Sequence, residues 1–172
     1  VSRHSRRFYR AKMVRSLTDW CLRRLFVLLC NSLDDLDTEE ERHELREYFL
    51  RLEPSCRHDL LHLFTIHQGM DLDDDLRMDA IDILFSNDID HLTPDNFSAA
   101  FHSRLVSYIR DRGTRLKTLN LTGIWMDSKD AHHLKRALPS LSRLVTLVIP
   151  YIADDEMLGA IARCLTQLRY LD

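Results

Sequence analysis

Apolar positions recur at steps of three and four along most of the chain, which is the period of amphipathic helices. Leu17, Cys21, Leu25 and Leu28 make the first such row, widened by Leu22, Phe26 and Leu29. Ser16 precedes it as an N-cap with Asp19 three residues on, and the Asn, Ser and Asp residues between 31 and 37 end it. Thr38, followed by Glu39, Glu40 and Glu41, opens a second helix that runs through Leu45, Tyr48, Phe49 and Leu52. It must close by Pro54, because the residue before a proline avoids the helical region. A third helix follows Ser55, with Leu60, Leu61, Phe64 and Ile66 inward and Gly69 as its stop. A fourth, acidic one places Leu72, Leu76, Ala80, Ile83 and Leu84 on one face. A fifth is capped by Thr93-Pro94-Asp95 and buries Phe97, Phe101, Leu105 and Tyr108. Residues 13–110 therefore read as all-helical, with short connections.

The pattern changes at Gly113. Leu116, Leu119 and Leu121 form an L-x-x-L-x-L core, Leu144, Leu147 and Ile149 repeat it 28 residues later, and Leu168 and Leu171 begin a third copy after 24 more. Amphipathic stretches lie between the copies. The first runs from Lys129 to Leu138, with Ala131, Leu134, Ala137 and Leu138 inward. The second runs from Asp154 to Leu165, with Met157, Leu158, Ile161 and Leu165 inward. A short strand and then a helix at a period of about 20–29 is the signature of leucine-rich repeats, whose units bury their apolar faces only by stacking. The asparagine or cysteine that usually follows the triplet is replaced by Ile124 and Ile152. The expected fold is an α-helical N-terminal region followed by the start of an α/β leucine-rich-repeat solenoid. Its parts would be a disordered basic arm at 1–12, a helical adaptor-binding or capping region at 13–110, and truncated repeats at 111–172.

Composition narrows the classes. With 45% hydrophobic and 30% charged residues, the 172-residue chain has the balance of a globular protein. Four glycines and four prolines disfavour a turn-rich all-β fold. The longest apolar run, Leu25 to Cys30, is far shorter than a membrane span. A net charge of −3 argues against a nucleic-acid partner, although Arg3, Arg6, Arg7, Arg10 and Lys12 make a basic N-terminal arm. Cys21, Cys30, Cys56 and Cys164 fit neither a C-x-x-C pair nor a zinc-finger spacing, and read as free thiols of a cytoplasmic or nuclear protein. The chain starts at Val1 and stops in mid-repeat, so a fragment of a longer protein is expected.

Three constellations bear on chemistry. His58-Asp59-Leu60-Leu61-His62 spaces two imidazoles as in H-E-x-x-H zinc sites, but Asp stands in the place of the general-base Glu. Asp71, Asp73 and Asp75 echo a calcium loop, yet Leu76 occupies the obligatory glycine position and Asp82 the place of the closing Glu. Both read as solvated helix faces. No nucleophile elbow, phosphate loop or locally spaced triad is present. The expectation is a non-catalytic protein without cofactor or metal.

Ser16-Leu17-Thr18-Asp19-Trp20-Cys21-Leu22-Arg23-Arg24-Leu25 resembles the BC-box of elongin-binding substrate receptors in cullin ubiquitin ligases. Its key positions are Leu17, Cys21 and Leu25, one turn apart on a helix. In layout the chain is similar to the zyg-type receptors, where a BC-box helix precedes leucine-rich repeats. The same stretch, from Leu17 to Phe26, also resembles an F-box core, with Thr18 and Trp20 replacing the usual Pro and Glu. The resemblance implies a substrate receptor that docks elongin B–C, or the F-box adaptor, together with a cullin, and that holds an unknown protein substrate on its repeats. Glu53 stands before Pro54 where the cullin-selecting box has an aliphatic residue, which leaves the cullin open. A repeat scaffold with a helical cap and no ligase role is the alternative.

Overall fold

Four helices carry the N-terminal part of the chain, and a small parallel sheet with three helices carries the rest. The computed structural model describes residues 17–66, 72–149 and 154–172. Its contacts divide the chain into two units, 1–84 and 85–172. The expected arm at 1–12, the cap Ser16, Gly69, Asp71 and Ile152 lie outside the described residues.

The first unit comprises α1 (Leu17–Asp34), α2 (Glu39–Leu50), α3 (Pro54–Thr65) and α4 (Asp74–Leu84). Helix α4 packs against the other three. It can do so because Met78, Ala80, Ile81, Ile83 and Leu84 together cover more than one face, and all five are fully buried. Helix α1 contributes Phe26, Leu29, Cys30 and Leu33, and the Phe26 ring stacks on Phe64 at 4.6 Å. The α2 start is a full capping box: the Thr38 hydroxyl accepts from the Glu41 N–H, and the Glu41 carboxylate accepts from the Thr38 N–H. The bond from the Asp37 N–H, with the contacts from Thr38, holds the Glu41 carboxyl below its ordinary range.

Buried arginines close the helix ends. Arg57 on α3 donates to the carbonyls of Leu50 and Leu52 at the end of α2. Arg77 on α4 donates to those of Phe64 and Thr65 at the end of α3, and pairs with Asp74 at 2.8 Å. Each guanidinium thus satisfies carbonyls that a helix terminus leaves without partners. Two more arginines tie α2 to α4: Arg42 lies 3.1 Å from Asp79, and Arg46 bonds the Asp82 carbonyl.

Several sequence expectations shift here. Of the apolar positions the second helix runs through, Phe49 is the buried one and Tyr48 is exposed. Helix α3 begins at Pro54 and not after Ser55: the Glu53 carboxylate caps the N–H groups of Ser55 and Cys56, and proline fits the first helical position. Those bonds also lower the Glu53 carboxyl, the Ser55 hydroxyl contributing most. Leu72 and Leu76 are half-buried.

The second unit holds β1 (His91–Leu92), α5 (His102–Arg112), β2 (Thr118–Asn120), α6 (Ser128–Ala137), β3 (Thr146–Val148), α7 (Asp155–Cys164) and β4 (Tyr170–Leu171). The strands are parallel and lie in chain order. Leu92 pairs in register with Leu119, Leu119 with Leu147, and Leu147 with Leu171. The first three of these leucines are buried, as are Leu116, Leu121, Leu144 and Ile149 around them. Asp127 and Asp154 cap α6 and α7 by accepting from the Asp130 and Met157 N–H groups.

Residues 13–110 are thus not all-helical. β1 forms where no alternation announces a strand, since two residues need only a neighbour to pair with. Nor does α5 start at Thr93-Pro94-Asp95. Asn96 sits at φ 53°, and a 3-10 turn at Ala99–Phe101 leads into the helix. Phe97 is buried there, while Phe101 and Tyr108 are half-buried. The unit boundary precedes the change of pattern at Gly113, because α5 packs on α6. In α7 the fully inward residues are Met157, Ala160 and Ile161, with Leu158 turned out. Ile124 is fully buried and acts as core. Among the described residues no helix is long and apolar enough to cross a membrane.

Candidate functional site: the outward face of the first helix

Helix α1 has two apolar faces and buries one. Phe26, Leu29, Cys30 and Leu33 recur at steps of three and four and are buried. On the opposite side Leu17 is 78% exposed, Cys21 is exposed and Leu28 is 44% exposed, while Leu25 lies at the border, half-buried. A helix in one packed unit needs a single inward stripe. The second row therefore has no role in the core of this unit. The three positions that carry the BC-box resemblance fall on it together: Leu17 and Cys21 exposed, Leu25 on its flank.

Sequence reasoning missed one neighbour on this face: Trp20 is 53% exposed one position before Cys21, while Leu28, already part of the row by its spacing, continues it by a turn. Arg24, exposed, stands among them. Trp20 was visible only as a departure from the F-box pattern, although a large exposed aromatic is the side chain that most often anchors an interface. The F-box comparison places weight on Phe26, and that ring is 4% exposed and stacked inside the unit.

The four cysteines are free thiols. Burial, with Asp34 nearby, pushes the Cys30 thiol up to about 12, so it behaves as a hydrophobe. Cys56, on α3, is also raised, first by burial and then by Asp59, Glu53 and Cys21.

The remaining constellations have local structural roles. His58 and His62 stack one turn apart with parallel rings 6.5 Å between centres, at the surface of α3. Asp73 accepts from the Leu76 N–H and so caps α4. Among the described residues no group of three or more His, Cys, Asp or Glu is placed to hold a metal ion. In the second unit the Ser103 hydroxyl donates to Asp130 at 2.7 Å, and Asp130 lies 3.7 Å from Nδ1 of the buried His102. Nε2 of His102 is 3.0 Å from the Phe97 carbonyl. The carboxylate stands between hydroxyl and imidazole here, whereas a hydrolytic triad needs the imidazole in the middle. A cleft of about 300 Å³ lies at the starts of α6 and α7. Its acids are already engaged: Asp127 and Asp154 cap helices, and Glu156 pairs with Lys135.

No family model, curated protein or solved structure matches the chain.

Proposed function

We propose that the protein is a non-catalytic substrate receptor of a cullin-type ubiquitin ligase, with α1 as the adaptor-docking helix and the second unit as the start of a leucine-rich-repeat array. The observation that carries this reading is the second apolar row on α1. Leu17, Cys21 and Leu28 remain exposed while the opposite row fills the core. An adaptor with an apolar groove would bury that row as an amphipathic helix is buried in any helix-in-groove complex. A helix that served only as a cap would carry a polar outer row.

The repeat assignment draws support from the second unit. Its parallel strands follow chain order, each joined to the next through helical crossovers. Register-matched leucines recur at 27, 28 and 24 residues, from Leu92 to Leu119, Leu147 and Leu171. In this reading the substrate lies on the open sheet face, where Thr118, Asn120, Thr146 and Val148 alternate with the inward leucines.

Elongin B–C is favoured over the F-box adaptor because the BC-box pattern specifies a cysteine where Cys21 stands exposed on the outward row. Co-expression with elongin B–C, and separately with the F-box adaptor, followed by size-exclusion chromatography, tests the proposal. Co-elution with elongin B–C is expected. Elution of the protein alone in both cases would remove the ligase reading and leave a repeat scaffold.

A further inference from the structure

The strands of the second unit are parallel and in register, so every helix-to-strand turn lies on one edge of its sheet. Arginines collect there. Arg115 and Arg143 each stand three residues before the paired Thr118 and Thr146, and Arg169 stands directly before Tyr170 of β4. Arg136 sits in the last turn of α6 at the same edge, and Arg163 in the last turn of α7, its guanidinium folded back towards Gly159. All five are exposed. Among the described residues none of the five pairs with a carboxylate.

The acids at this edge are already engaged. Asp90 binds Lys117 and His91, Asp111 binds Arg110, and Asp88 accepts from Ser86. Burial alone would raise the Asp90 carboxyl, yet its bonds to His91 and Lys117 bring it below the usual range. The opposite edge, where strands lead into helices, carries Asp127, Asp154, Asp155 and Glu156. Helix dipoles account for the basic residues in the last helical turns. They give no reason for Arg115, Arg143 and Arg169, which lie beyond the helices, in the turns.

We propose that this arginine edge docks an acidic polypeptide segment. Neighbouring strands are about 4.8 Å apart, so three successive turns span about 10 Å, the length of about three residues of an extended chain. The guanidinium fork takes a carboxylate through two parallel bonds, which suits arginine better than lysine. A short acidic segment can lie along this edge alone. A long nucleic acid would also meet the acidic opposite edge and a chain of net charge −3. The inference stands without the ligase reading, since receptor and scaffold alike would use the edge and α1 takes no part.

Fluorescence anisotropy with a labelled oligo-glutamate, and with an oligothymidylate of equal charge, tests it on the full chain. The oligo-glutamate should bind, more weakly as salt rises. The double variant Arg115→Gln/Arg143→Gln should lower its affinity at least ten-fold, while Lys129→Gln on α6 should leave it unchanged. Arg115→Lys/Arg143→Lys should fall between the two. If the Gln double variant melts early, Arg136→Gln/Arg169→Gln carries the same expectation. Absence of oligo-glutamate binding by the parent, undiminished binding by the folded Gln variants, or tighter binding of the oligothymidylate would each overturn the proposal.

Discussion

Truncating one leucine on each face of α1 separates docking from packing. Leu17 is 78% exposed, so Leu17→Ala removes little burial and should change stability by less than about 0.5 kcal/mol. Leu29 is fully buried, and Leu29→Ala leaves a cavity worth about 2–5 kcal/mol. Binding should respond in the opposite order. If Leu17 enters an adaptor groove, its truncation should cost about 1–3 kcal/mol of affinity, roughly five- to more than a hundred-fold. Thr18→Ala, on an exposed neighbour, should alter neither quantity by more than about 0.5 kcal/mol. Denaturant midpoints and an elongin B–C pull-down on the same proteins read both effects. The reasoning fails if Leu17→Ala lowers the midpoint as much as Leu29→Ala does, since the face would then be core. It fails equally if Leu17→Ala keeps the parent's full adaptor affinity.

Three other outcomes follow from the packing. Arg77→Ala should destabilise the first unit by about 3–5 kcal/mol, because it leaves the Phe64 and Thr65 carbonyls and the Asp74 carboxylate without their donor; a urea titration that shows less than 1 kcal/mol, roughly, would contradict this. Gly123→Ala should cost about 1–3 kcal/mol, since a Cβ there would overlap the Asp95 carboxylate and stand 2.8 Å from the Asn96 nitrogen, and thermal melts should show it. Glu41 has a lowered carboxyl, so its contribution is present above its ordinary value of 4.5 and fades as pH falls through the lower folded value. Glu41→Gln should therefore flatten the acid limb of the stability–pH curve, and an unchanged limb would show that the capping box is not formed.

Local chemistry made much of this chain legible. The α2 start was visible in Thr38 and its three glutamates, because a capping box is complete within four residues. The apolar positions Leu119 and Leu147, 28 residues apart, emerged as partners in a parallel strand pair, both buried on the same side of the sheet. Positions 17, 21 and 25 were recognisable as one helical row by spacing alone. Tertiary structure decided which rows are core. In α1 both rows carry the helical period, and only the packing of α1 with α3 and α4 selects Phe26, Leu29 and Leu33 over Leu17, Cys21 and Leu28. Arg57 and Arg77 are buried only because helix ends 7 and 12 residues away supply carbonyls for them to bond. β1 exists through its pairing with β2, which no local pattern encodes. The arginine edge likewise emerges only when parallel pairing brings turns from three stretches of the chain to one side. Periodicity and caps are local and can be read along the chain, whereas the choice of buried face, the partner of a buried charge and the pairing of a two-residue strand depend on residues distant in sequence.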